Sequence, residues 1–358
     1  MLIIHAIDSM DLGGAQTLLY ELYHAIKKYH PTYKQSIVCI RRPHFHIKER
    51  TTFKDKLSYN TVERSKFVKY ILSQKNAILF YHKLMISDTG IYRKIRKSKR
   101  IPIICINHSF STHERYNVFE RCDVIVSVCD NMCKKLKSLY PDRKHAVVKN
   151  AVNYKFYRSI NPLERDRRKT FFTGRVNKFN RIKHPPDWIE WCGKLKLPKK
   201  MLHEYIGGGA YEHQAKIGVK KKSRNWRNNV QILGRIDNFK KKVSIMKSWD
   251  VFLYEIVNNE GISMSILESL ACGIPVICSN HYGNKEVIEP GINGFIFKNR
   301  KEASAILTDL CNDKEKLKKL KKTTEEHFIE HLDAKFMAKK YIGLVEKILA
   351  KYRKRNAI

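Results

Sequence analysis

Two glutamates, Glu260 and Glu268, stand eight positions apart in the stretch EGISMSILE, with small and apolar residues between them. Two chemistries fit that spacing. In the first, Ser265 and Glu268 form an S-x-x-E capping box, whose hydroxyl and carboxylate accept hydrogen bonds from free amides at a helix start. In the second, a helix begins near Ser263, after Gly261, and the amides of Ile262, Ser263, Met264 and Ser265 point outward as an anion-binding terminus. Glu268 then sits about five residues in, roughly 7–8 Å along the axis at about 1.5 Å per residue. That is about the separation between the phosphates of a nucleotide and its ribose hydroxyls, whose hydrogen bonds a carboxylate accepts in bidentate fashion. Glu260, ahead of the helix, would face whatever extends beyond the phosphates. The two roles can coexist.

Three further stretches carry residues of a similar kind. In DSMDLGGAQTLLYEL, Gly13 and Gly14 follow an apolar run and precede a helical one, where missing Cβ atoms let a ligand approach the backbone. A tight turn explains the pair equally. The pattern is neither G-x-G-x-x-G nor G-x-x-x-x-G-K-[ST], which argues against a dehydrogenase or a P-loop enzyme. In GRVNKFNRIKHPPDWIEW, Arg175 ends a strand and Lys183 stands before a helix, so a guanidinium fork and an ammonium could neutralise a diphosphate without a metal. Chance placement competes in a chain this basic. In INHSF, His108 ends a strand, placed either to donate a hydrogen bond to a substrate or to cap the sheet; His82, ending ILFYH, is a second instance.

Composition narrows the classes. At roughly 150 residues per domain, 358 residues make two domains. Hydrophobic residues at 43% and charged residues at 29% describe a globular chain. No apolar run reaches the roughly 18 residues that span a bilayer. The opening MLIIHAI is followed too soon by Asp8 and Asp11 for a secretory leader, so a cytoplasmic location is expected. Nine cysteines lie scattered without a C-x-x-C pair, which fits buried thiols in a reducing compartment; no metal site is expected. Lys and Arg number 71 against 34 Asp and Glu, a formal charge of +37 that attracts polyanions. The basic runs are spread along the chain, and no basic arm, zinc finger or RNP-like motif singles out nucleic acid. Solvated faces with a pull toward anionic lipid are expected instead, and ELYHAIKKYHPTYK (21–34) is read as a helix able to rest on an anionic membrane.

The elements that must position these residues are short β-rich runs alternating with helices. LIIHAI (2–7), QSIVCI (35–40), AILFYH (77–82), IPIICIN (101–107), DVIVSVC (123–129) and HAVVKNAV (145–152) read as buried parallel strands. A second series follows: KTFFTGRV (169–176), HEYIGGG (203–209), NVQILGRI (229–236), DVFLYEI (250–256), IPVICSN (274–280) and GFIF (294–297). The fold class is therefore α/β, with two Rossmann-like doubly wound domains, a seam near residues 150–164, and helix from about residue 301 onward. Ligands in such sheets bind at the carboxyl ends of strands, where all four stretches fall.

The order of these loops resembles the retaining nucleotide-sugar glycosyltransferases of the GT-B fold, glycosyltransferase family 4. EGISMSILESLACGIPVI matches that family's motif of Glu, seven residues, Glu almost letter for letter. The GGA loop, the GR strand end with a lysine beyond it, the LGR strand (233–235) and the tail GNKEVIEPGINGFIF match as well. The resemblance covers nearly the whole chain and is strongest over residues 250–297. It implies an N-terminal domain over 1–152 facing a nucleotide-sugar domain over 153–334 across a cleft, with a terminal helix over 335–358 crossing back to the first domain. It implies transfer of a hexose-type sugar from a UDP- or GDP-linked donor to a hydroxyl of a glycan or lipid-linked glycan, as in surface polysaccharide, lipopolysaccharide or glycoprotein glycan synthesis. No cofactor is implied, and no D-x-D sequence that would carry a metal is present. Carried over residue by residue, Arg175 and Lys183 take the diphosphate with the amides of Ile262 to Ser265, Glu268 the ribose hydroxyls, and Glu260 those of the sugar. Gly13 and Gly14 close over the phosphates, His108 approaches the sugar, and the base rests near Gly207, Arg235 and Ile236. The family's lysine usually follows the arginine by five or six positions. Here Lys183 is eight on, so Arg181 is a rival for the second cation. A sugar-nucleotide epimerase of the same fold and a basic nucleic-acid-binding protein are the alternatives.

Overall fold

Burial on both faces selects the strands of this chain. The computed structural model describes residues 1–8, 10, 13–41, 57–82, 93–95, 97–98, 101–108, 119–166, 168–180, 183, 185, 187–222, 228–257, 261–281 and 283–356. It divides into one unit of Met1–Ala151 with Ala334–Ile358 and another of Val152–Asp333.

In the first unit, β1 (Leu2–Ile7), β2 (Lys34–Arg41), β3 (Asn60–Glu63), β4 (Ala77–His82), β5 (Ile103–Asn107), β6 (Val124–Ser127) and β7 (His145–Val147) form a parallel sheet in the order β3-β2-β1-β4-β5-β6-β7. Every residue of β4, β5 and β6 is buried, as strands covered on both faces must be. The edge strand β3 has no apolar run and is mostly exposed, so hydrophobicity gives no sign of it. The helix α1 (Gly14–Tyr29) buries Leu18, Leu19, Leu22, Ala25 and Ile26 on one face. It stops before Pro31, which cannot donate a backbone hydrogen bond, and β2 begins at Lys34. The stretch 21–34 is thus not one helix, contrary to the sequence reading. The C-terminal helix, Ala334–Asn356, packs on α1 and carries Tyr352, whose hydroxyl donates to the Asp123 carboxylate at 3.1 Å. The helices α2 (Arg64–Ser73) and α3 (Asp130–Leu139) complete the unit.

The second unit runs α4 (Tyr154–Arg158), β8 (Thr170–Val176), α5 (Trp188–Lys194), β9 (Lys200–Ile206), α6 (Glu212–Lys220), β10 (Val230–Gly234), α7 (Phe239–Lys247), β11 (Val251–Tyr254), α8 (Met264–Ala271), β12 (Val276–Ser279), β13 (Gly294–Phe297), α9 (Arg300–Asn312) and α10 (Lys314–His327). Its parallel sheet has the order β10-β9-β8-β11-β12-β13, so the direction of winding reverses between β8 and β11. The carboxyl ends of those two strands flank the crevice in which open α/β sheets bind ligands. Trp249 lies flat enough on β8 that a Cβ at Gly174 would come within 2.0 Å of its ring, which fixes glycine there. Trp249 is itself held by donating its indole N–H to Glu204 at 2.7 Å. Both units are thus parallel-sheet α/β domains, as the alternation of apolar runs implies. Among the described residues no helix is long and apolar enough to cross a membrane.

Candidate functional site

The helix α8 starts at the crevice of the second unit. Ser263 is its N-cap, in extended conformation at φ −70° and ψ 128°, and its side chain makes no cap bond to the first turn. The helix dipole leaves positive charge at such an end, and unsatisfied amides there favour an anion. The capping box expected of Ser265 and Glu268 is not formed. Because the helix begins at Met264, Ser265 lies inside it and cannot serve as the cap; its hydroxyl meets that of Ser263 at 3.0 Å. Gly261, Ile262 and Met264 are buried beside it.

Glu268 points elsewhere. Both its carboxylate oxygens accept hydrogen bonds from Lys242 Nζ, at 3.0 and 2.9 Å, and only 5% of the Glu268 side chain and 14% of the Lys242 side chain is exposed. Lys242 comes from α7, and its ammonium lies 4.3 Å from the centre of the Phe239 ring. A carboxylate this deep requires a partner, and removing one member of such a pair costs about 3–5 kcal/mol. Lys242 has no mark in the sequence that sets it apart from Lys240 and Lys241.

Arg175 and Lys183 do meet at one strand end, but not as two open cations. The Arg175 side chain has no exposed surface. Its guanidinium is enclosed by Trp188 and Tyr254, each ring centre 4.8 Å away, and by Tyr205 at 5.7 Å. Nη2 donates to the backbone carbonyl of Lys183, which also accepts from Asn177 Nδ2 at 3.1 Å. Through this bond Arg175 anchors the loop that carries Lys183. Its Nε and Nη1 meet no acceptor among the described residues, an uncommon state for buried charged donors. Burial pushes the Tyr205 phenol up to about 12, although the neighbouring Arg175 cation opposes the shift. Lys183 is half-buried. Glu260 and Arg181 lie outside the described residues.

Gly207 serves the same loop. A Cβ there would fall 1.7 Å from the Asn177 carbonyl oxygen, so glycine lets the end of β9 approach the backbone after β8. Arg235, just past β10, donates to Asp237 at 2.5 Å, and Ile236 beside it is half-buried. The two therefore sit at the same carboxyl edge as Gly207, whose N–H donates to the Gly234 carbonyl at 2.9 Å.

In the first unit Gly13 is the N-cap of α1, again with no side-chain cap, and Gly14 opens the helix exposed. Gly13 has φ −169°, extended backbone open to any residue, so close approach rather than conformation is what glycine offers there. His108 follows β5, half-buried, with its ring stacked on His82 at 5.5 Å and 22°. His82 in turn bonds His5, Nε2 to Nδ1, at 3.1 Å, and His5 Nε2 meets Gln35 Oε1 at 3.1 Å. Gln35 spends its amide N–H on the Tyr23 carbonyl, so its oxygen accepts from His5. Neutral His5 then accepts at Nδ1 from His82 Nε2–H, which fixes both tautomers. Burial lowers His5 to about 4, with the Gln35 bond opposing, and lowers His82 well below its ordinary value, with His5 and His108 adding to the effect. Among the described residues no group of three or more His, Cys, Asp and Glu is arranged to hold a metal ion.

Residues 154–327, all within the second unit, match the family described as Glycosyl transferases group 1. MJ1069, an uncharacterised glycosyltransferase of Methanocaldococcus jannaschii, is 24% identical over 302 residues, covering 83% of this chain and 70% of that protein. Anabaena HepE, solved in complex with UDP-glucose, has a TM-score of 0.75 at 14% identity and covers 97% of this chain and 100% of its own. Sucrose-phosphate synthase from Thermosynechococcus elongatus also gives 0.75 at 14% identity, over 98% of this chain and 99% of its own. The fold is that of the GT-B glycosyltransferases, and the family match supports glycosyltransferase activity.

Proposed function

We propose that the chain moves a hexose-type sugar from a nucleotide-diphosphate sugar to a hydroxyl of a glycan or lipid-linked glycan, with retained anomeric configuration, as a glycosyltransferase of family 4. The observation that carries this reading lies on α8, where a helix start left uncapped by the Ser263 side chain and the buried carboxylate of Glu268 share one helix. The diphosphate docks on the first-turn amides with Lys183, and Glu268 accepts from the ribose hydroxyls. Arg175 acts through the loop it anchors, and Glu260 contacts the sugar. For the first unit the reading gives Gly13 and Gly14 a phosphate contact and His108 a sugar hydroxyl. Fixed cations and oriented amides then stabilise the departing nucleoside diphosphate, which needs no metal or cofactor. The UDP-glucose bound to HepE supports a nucleotide-sugar donor and makes UDP-glucose the first to try.

The test is calorimetric titration of the full chain with UDP-, GDP- and ADP-sugars, followed by turnover with glycan acceptors. Glu268→Ala should weaken the best donor by about 100-fold, since hydrogen bonds to a charged group contribute roughly 1.5–3 kcal/mol each. Unchanged affinity in that variant would sink the assignment. Proton spectra of the first product report its anomer, and an inverted one would refute retention.

A further inference from the structure

Arg300 joins three segments at the carboxyl edge of the second sheet. It opens α9 just after β13, where a cation opposes the helix dipole, so its partners and not its own helix favour it there. Nη1 and Nη2 donate to the two oxygens of Asp187 at 2.6 and 2.8 Å, and Nε donates to Glu255 Oε2 at 2.8 Å. The guanidinium also lies 5.4 Å from the centre of the Trp191 ring. A planar fork bonded at its end and on its flank is held in one orientation. Asp187 is the N-cap of α5, at the close of the loop after β8 that carries Lys183. Glu255 is the first residue past β11, on the segment that leads to the start of α8. From Asp187 the connection runs inward: Trp188 packs on Trp191 with ring centres 5.0 Å apart and encloses Arg175, which holds the Lys183 carbonyl. The buried Arg175 and the partly exposed Arg300 thus hold one loop at two points, Lys183 and Asp187.

We propose that Arg300 is a positioning residue for the diphosphate: by tying Asp187 to Glu255 it sets Lys183 against the first turn of α8 before a ligand arrives. The inference rests on the reading that Lys183 and the α8 amides take the diphosphate. Arg300 acts through Asp187 and Glu255. Without it the loop after β8 moves independently of the segment after β11, and binding must order the two, which weakens affinity.

Calorimetry on the full chain reads the effect as a ratio. Whichever of UDP, GDP and ADP binds best is compared with its own monophosphate, which shares base and ribose and lacks one phosphate. Arg300→Gln should weaken the diphosphate by about 10-fold, the scale of ordering one or two side chains anew, and the monophosphate by less than about 3-fold. A merely structural arginine would lower the urea midpoint and leave that ratio unchanged. Arg300→Lys, a point charge without the fork, should fall between wild type and Arg300→Gln. Asp187→Asn should lower the ratio in the same direction, and adding it to Arg300→Gln should do no further harm, because both remove one connection. Additive losses in that double variant would overturn the clasp. Should Arg300→Gln fail to fold, Asp187→Asn carries the comparison, since 67% of the Asp187 side chain is exposed. Lys183→Ala is the reference. Diphosphate preference lost in Lys183→Ala but kept in Arg300→Gln or Asp187→Asn overturns the inference alone. Preference kept in Lys183→Ala, or a wild type that binds none of the three diphosphates, overturns the reading of the site and the inference with it.

Discussion

Lowering the pH should weaken the first unit through two histidines that it keeps neutral. His5 and His82 have no exposed surface, and burial is the largest cause of the downward shift in each. Unfolding releases them to water, where a histidine binds a proton below about pH 6.5. The sign follows from which state binds more protons. Between about pH 6.5 and 4 the unfolded chain holds the His5 proton and the folded chain does not, so stability falls as pH falls. At about 1.4 kcal/mol per unit, a shift from 6.5 to about 4 makes His5 alone cost about 3 kcal/mol by pH 4. His82 acts in the same direction. Domains of this size are stable by roughly 5–15 kcal/mol, so the loss is a large fraction of the total. Urea unfolding at pH 7, 6 and 5 measures it, with hydrogen exchange of β1 and β4 reporting on this unit. The interval from pH 6.5 to 5 lies above the usual carboxylate range, so the slope there reports histidines. Stability that stays level across that interval, or a His5→Gln variant with the wild-type slope, would refute the tautomer chain from Gln35 to His82.

Two further perturbations separate packing from charge. Gly174→Ala forces a methyl group against the buried Trp249 ring, an overpacking that should cost the second unit about 1–3 kcal/mol, read as a lower urea midpoint; an unchanged midpoint would show that Trp249 can step aside. The formal charge of +37 should bind the chain to vesicles containing anionic lipid, and flotation should decline as salt rises toward about 0.5 M because screening shortens the reach of each charge. Equal flotation with neutral vesicles would rule out a peripheral, charge-held association.

The fold was legible because the central strands of both sheets are buried on both faces, which writes them as apolar runs; β3 escaped because an edge strand needs none. The start of α8 at Ser263 was legible for a similar reason, since a serine before an apolar helical run can only be an end. What the residues around it do was harder to read, because charge in the interior is settled by partners distant in sequence. Trp188, Tyr205 and Tyr254 come from α5, β9 and β11 and look like ordinary core aromatics, yet together they close around Arg175. Lys242 is one of 71 basic residues, 26 positions from the carboxylate it holds. These two buried charges are balanced in different ways, and the difference bears on the chemistry. Glu268 already has a full counter-charge, so a ligand there must bring donors without charge, as a ribose diol does. Arg175 has aromatic faces and a carbonyl but no carboxylate partner among the described residues, so its positive charge is left uncompensated behind the Lys183 loop. A nucleoside diphosphate has that same polarity, neutral hydroxyls at the sugar and anionic oxygens beyond it. On the proposed reading the site is ordered along α8 from a neutral grip to a positive one.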